Sequence, residues 1–198
     1  WKAPKSGMAV NFISAALTKD TPMAGSASVD IWIRSPVAGV TDADLEVNLT
    51  EVRADGQEMY VQSGWLRASH RKLTKDSTEL WPEPTLVMTD VAPLKVGEWT
   101  KVRVAVAGFA HVFHQGSRIR ISVDTPGDSR AEWRFQLLTF QTPVHYDIGH
   151  DKAHTSSVVL PVLEGVDLPD GVTLAECPSL RGQPCRKFTP EMNVPSKP

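Results

Sequence analysis

Ser129, in Gly127-Asp128-Ser129-Arg130-Ala131, is the serine that comes nearest to a nucleophile elbow. A G-x-S-x-G elbow holds its hydroxyl on a strained strand-to-helix turn, and an acid and a histidine complete the triad. Here the last position is Ala131, and the flanks read as strand, turn and strand with no helix to follow. The segment is therefore expected to be a turn. His111 and His114 flank Phe113, while His145, His150 and His154 crowd one stretch. The i,i+4 spacing of His150 and His154 would put both imidazoles on one side of a helix. The segment lacks the glutamate of H-E-x-x-H and any helical stripe, so these are expected to be polar loop histidines. Asp42, Asp44 and Asp55 stand near strand ends, where sandwich loops gather oxygen ligands for calcium. A structural calcium is thus one expectation, and starting strands and turns is the plainer role for each. No segment supplies nucleophile, base and oxyanion hole together, so no catalytic residue, metal ligand or cofactor-binding residue is assigned.

Cys177 and Cys185 are the only cysteines, eight positions apart in a Pro- and Gly-rich stretch. They could close a small disulfide loop, and that pairing points to an extracytoplasmic compartment. Asn48-Leu49-Thr50 matches the N-glycosylation sequon, but it falls in the middle of an expected strand. The chain of 198 residues has a net charge of -2 and scattered basic residues, which gives no pull toward nucleic acid. No apolar run approaches the roughly 20 residues that span a bilayer. The start at Trp1-Lys2-Ala3-Pro4 has no apolar leader and reads as a mature or excised piece.

The elements that must position these residues are strands. Val29, Ile31 and Ile33 alternate with Asp30, Trp32 and Arg34, and Leu45, Val47 and Leu49 alternate with Glu46, Asn48 and Thr50. The same period runs through Val102, Val104 and Val106, and again through Ile119, Ile121 and Val123. Each pattern predicts a strand with one buried and one wet face. Further strands are expected in Met8 to Ala16, Met59 to Gly64, Trp133 to Thr139 and Ser157 to Leu163. Ala54-Asp55-Gly56 predicts a tight reversal between two of them. Eight or more short strands with little helix predict an all-β sandwich or jelly roll over 1–163. Residues 72–99 read as a long exposed excursion, and 164–198 as an irregular C-terminal extension.

Trp32 should project away from Val29, Ile31 and Ile33, and Trp65 and Trp81 border the excursion. Exposed tryptophans on a sandwich stack on sugar rings or bury against a neighbouring domain. The order of several motifs favours the second reading. Asp42-Ala43-Asp44-Leu45 through Asp55-Gly56 is similar to D-T-D-F-x-x-x-L-x-D-V-x-P-D-G, and Gly64-Trp65-Leu66-Arg67-Ala68-Ser69-His70-Arg71 to G-x-L-R-A-x-Y-R. Val112-Phe113 through Gly116 to Ile121 resembles V-F-x-x-G-H-R-I-R-L, with Leu17 to Gly25 and His150 to Val162 as matching flanks. Together these resemble the C-terminal domain of the cocaine esterase and X-prolyl dipeptidyl-peptidase family, which includes α-amino-acid ester hydrolases. Glu51, Ala54, Ser117 and Thr155 depart from its pattern.

The resemblance implies a galactose-binding-like jelly roll with no triad of its own. It would follow an α/β-hydrolase domain and a helical cap, pack on both, support the substrate pocket and favour a homo-oligomer. Trp32, Trp65 and Trp81 then become candidate interface residues. The rival expectation is a free-standing carbohydrate-binding module, with one of these tryptophans on an open polar face.

Overall fold

The computed structural model describes residues 1–127, 130, 133–166, 168, 169, 173, 176 and 184–189. Nine strands run in chain order: β1 (Val10–Ile13), β2 (Thr21–Arg34), β3 (Asp44–Val52), β4 (Gln57–Arg67), β5 (Thr100–Phe113), β6 (Arg118–Asp124), β7 (Asp147–Ile148), β8 (Ser157–Val159) and β9 (Arg186–Lys187). They form a five-stranded sheet in the order β1-β6-β3-β4-β9. A second sheet has the order β5-β2-β7, with β8 also on β2. Every pairing is antiparallel. Two short 3-10 turns, Ala68–His70 and Met88–Asp90, lie between β4 and β5.

The alternating residues build the core as their period requires. Ala27, Val29, Ile31 and Ile33 of β2 and Val102, Val104 and Val106 of β5 meet Leu45, Val47 and Leu49 of β3 and Ile121 and Val123 of β6. The sheets approach closely at Gly64, where a Cβ would lie 1.8 Å from the Ala105 carbonyl oxygen. Only a residue without a side chain admits that approach. The β3–β4 turn is the reversal expected at Ala54-Asp55-Gly56: Gly56 takes φ 81°, and the Gln57 N–H donates to Asp55 Oδ1 (2.9 Å).

Three strand expectations change. Residues 8–16 pair only over Val10–Ile13, and 157–163 only over Ser157–Val159, with a single further bridge from Val162 to Met23. Trp133 to Thr139 joins no ladder. Its groups are used in packing instead: Trp133 stacks on Trp65 (centroids 4.8 Å), and the Leu138 N–H donates to Asp44 Oδ2 (2.6 Å).

The expectation of a wet outer face fails for β3 and β4. Every residue from Leu45 to Val52 is buried, the polar ones included. The outer face is polar, as the alternation says, but other segments cover it. One of these is β9, which brings part of the 164–198 extension back against β4 through Gln57 and Glu58.

The excursion at 72–99 is an arm held at both ends. Leu73 bridges Pro84, and the Thr78 N–H donates to the Trp81 carbonyl across the tip (3.0 Å). The tip rests on β2, where the Ser28 hydroxyl donates to the Glu79 carbonyl. Leu94 then sinks into the core, and its N–H donates to the Thr41 carbonyl (2.7 Å).

Candidate interface and the polar face of the sandwich

Glu58 is the centre of the covered polar face. It is fully buried, and so is Arg120, whose Nη1 lies 2.9 Å from Glu58 Oε2. Arg186 from β9 supplies a second guanidinium at 2.8 Å, and the Thr50 hydroxyl donates to Glu58 Oε1 (2.8 Å). Burial alone would push the Glu58 carboxyl up; the hydrogen bond and charge of Arg186, with Arg120 and Thr50, hold it below the ordinary value. Trp1 and the 184–188 segment roof the site. Arg186 stacks over the Trp1 ring (3.6 Å), Trp1 meets Tyr60 edge-on, and Phe188 lies against Arg120. Glu46, at the opposite end of β3, differs. Desolvation raises its carboxyl, against the opposing charge of Arg130 and the Gly127 N–H at 3.3 Å.

The histidines occupy separate places. His111 Nε2 lies 2.8 Å from Glu51 Oε2, and the His114 N–H donates to Glu51 Oε1 (3.0 Å). Burial of Glu51 is outweighed by these partners, which keep it ionised more readily than usual. The pair borders a cavity of about 480 Å³ with Met23, Met59 and Leu163. His154 lies between two indoles, stacked on Trp99 (4.5 Å) and edge-on to Trp32 (5.3 Å). His150 is exposed in the same irregular loop, so the i,i+4 spacing builds no shared helical face. The loop is tied down by Ser156, whose hydroxyl donates to the Gly149 carbonyl (2.6 Å) and accepts from the Trp32 N–H (3.1 Å).

The expected acidic ligands serve the backbone. Asp42 Oδ1 accepts from the Ala43 and Ser69 N–H groups, Asp44 pairs with Arg67 (2.7 Å), and Asp55 caps its turn. No three of the described His, Cys, Asp or Glu side chains are grouped to hold a metal. Asn48 is buried, accepting from the Ser63 hydroxyl (2.6 Å), so a folded domain has no room for a glycan there. Cys185 is disulfide-bonded, while Cys177 and Ser129 lie outside the described residues.

The three candidate interface tryptophans separate. Trp32 is half-buried against His154, and Trp81 is half-exposed at the arm's tip. Trp65 floors an open cleft of about 400 Å³ with Leu66, Arg67, Leu86, Phe135 and Leu137. Phe135 meets it edge-on (5.6 Å) and is itself half-exposed. The cleft draws on the β4 end, the arm and the irregular 133–139 segment. Sequence reasoning placed Trp65 but missed Leu86 and Phe135. The available signal was Leu86-Val87-Met88, three apolar residues in a stretch otherwise rich in Pro, Lys and Asp.

Two antiparallel sheets around one core, with polar side chains spent on structural pairs, define a β-sandwich of the jelly-roll class. Residues 2–147 match the X-Pro dipeptidyl-peptidase C-terminal non-catalytic domain, and the chain belongs to that family. It is 27% identical over 158 residues to proteins of Mycobacterium bovis and Mycobacterium tuberculosis assigned as serine esterases. The match takes in 78% of this chain and 24% of each relative. The chain thus spans about a quarter of their length. Among solved structures it is similar to a CocE/NonD family hydrolase from Staphylococcus aureus (TM-score 0.66, 19% identity, 77% of this chain and 30% of that one). It is also similar to an α-amino acid ester hydrolase (TM-score 0.55, 17% identity, 79% and 26%). At these identities the structures establish the shared fold.

Proposed function

We propose that these residues form the accessory C-terminal domain of a serine hydrolase of ester or amide bonds. The domain packs on the catalytic and cap portions, supports the substrate pocket, and turns over no substrate itself. The observation that carries this reading is the family match over residues 2–147 in a chain about a quarter as long as its esterase relatives. In support, Glu58 and Glu51 are engaged in pairs that hold strands and loops together. Glu58 is closed in by two arginines, and Glu51 is bonded through both oxygens.

The test is a p-nitrophenyl ester assay on the full-length parent, on the parent lacking these residues, and on this chain. The expected outcome is turnover by the parent, a loss of at least tenfold in kcat/KM on deletion, and none above buffer for this chain. Turnover that co-purifies with this chain would refute the reading.

A further inference from the structure

We infer that Leu86-Val87-Met88 and the Trp65 cleft beneath it are the contact by which this domain docks on the catalytic portion of its own polypeptide. This rests on the reading above and gives it a location. Leu86, Val87 and Met88 are 69%, 50% and 78% exposed. Single exposed apolar residues are ordinary on a surface; three in succession are not, outside an interaction site.

The loop that presents them is built for the purpose. Leu86 has φ 51°, the only non-glycine residue in the left-handed region among those described. A leucine held there carries strain, which persists only where the surroundings impose it. They do so on both sides. The Thr85 N–H donates to the Lys72 carbonyl (2.9 Å), the Asp90 N–H donates to the Val87 carbonyl (2.9 Å), and Lys72 pairs with Asp90. The exposed side chains are therefore offered by a braced turn.

The cleft supplies the matching half. Trp65, Phe135, Leu137 and Leu86 make it apolar, and its Arg67 is neutralised by Asp44. Such a surface fits an apolar protein segment, and its described lining offers no unpaired carboxylate or guanidinium to an ionic ligand. The catalytic portion is the favoured occupant because the family's domain is C-terminal to it. The relatives carry roughly three-quarters of their length outside the matched region. A tethered partner sits at an effective concentration of order mM, so a modest apolar contact suffices to hold it.

Hydrogen exchange on the full-length parent tests this with Met88→Asp and, separately, Leu86→Gly. Glycine at that φ relieves strain while removing the apolar side chain. In both variants we expect one segment of the catalytic portion to exchange at least tenfold faster, with β2, β3, β5 and β6 unchanged. Unchanged exchange throughout the catalytic portion in both variants would overturn the docking site. If deleting the whole domain also left that portion unchanged, the accessory-domain reading itself would fall. A dimer that dissociates in the variants without any change in the catalytic portion would assign the surface to a second copy, and would also overturn the inference.

Discussion

The five-stranded sheet has two buried faces made by opposite chemistry. Inward, Leu45, Val47 and Leu49 join a continuous apolar core. Outward, Glu46, Asn48 and Thr50 alternate with them along the same strand, and they too are buried. The inner face is held by water exclusion and close packing, which many hydrophobic combinations satisfy. The outer face is held by specific polar contacts, such as those of Glu58 with Arg120, Arg186 and Thr50. It also depends on distant segments, Trp1 and 184–188, to keep water out. One face tolerates substitutions of similar volume; the other is expected to fail at single positions.

The greatest loss of stability is expected where β4 meets β5 at Gly64. Gly64→Ala would place a methyl carbon 1.8 Å from the Ala105 oxygen, backbone against backbone, with no side chain able to yield. The sheets would have to separate, and we expect no cooperative thermal transition in the variant, or a loss above about 4 kcal/mol. Next, Glu58→Ala leaves the buried Arg120 and the half-buried Arg186 without their counter-charge. Breaking such a set costs about 3–5 kcal/mol, measured by urea unfolding. A replacement of Glu58, Arg120 and Arg186 together by apolar residues should recover much of that loss, because the penalty lies in the orphaned charge. Leu49→Ala, a simple deletion in the inner core, is expected to cost about 3 kcal/mol.

The two outer-face glutamates respond to pH in opposite directions. Glu58 is held below the ordinary 4.5, so its contribution is present above that value and is lost as pH falls through the lower folded value. Glu46 is raised, so its contribution has the opposite sense: full below the ordinary value, lost as pH rises through the folded one. Glu46→Gln should therefore melt higher than the parent sequence near pH 7, with the difference shrinking toward about pH 4. Equal melting temperatures across that range would contradict the assigned direction. Least is expected at the half-exposed Arg34–Asp147 pair (2.7 Å), where Arg34→Ala should cost no more than about 1 kcal/mol.

Much of the fold was legible in the residues. Period-two alternation located β2, β3, β5 and β6, and Asp55-Gly56 located a turn, because pleat geometry and positive φ impose local requirements. Coverage was not legible. Alternation distinguishes the chemistry of two faces, whereas Glu58 and Arg120 are buried by residues far away in the chain. Trp133, Phe135 and Leu137 mimic a strand because their spacing is right, yet the Leu138 amide bonds to a carboxylate rather than to a neighbouring strand. Of the candidate interface, Trp65 could be named as a tryptophan bordering the excursion. Leu86 and Met88 sit in a loop, where no period marks which side chains will be presented.

Hydrolytic chemistry is proposed to lie in a portion of the parent outside these residues. Fluorophosphonate labelling of the full-length parent, followed by peptide mapping, is therefore expected to give a single adduct, on a serine outside this chain. A stoichiometric adduct on any serine within residues 1–198 would contradict it.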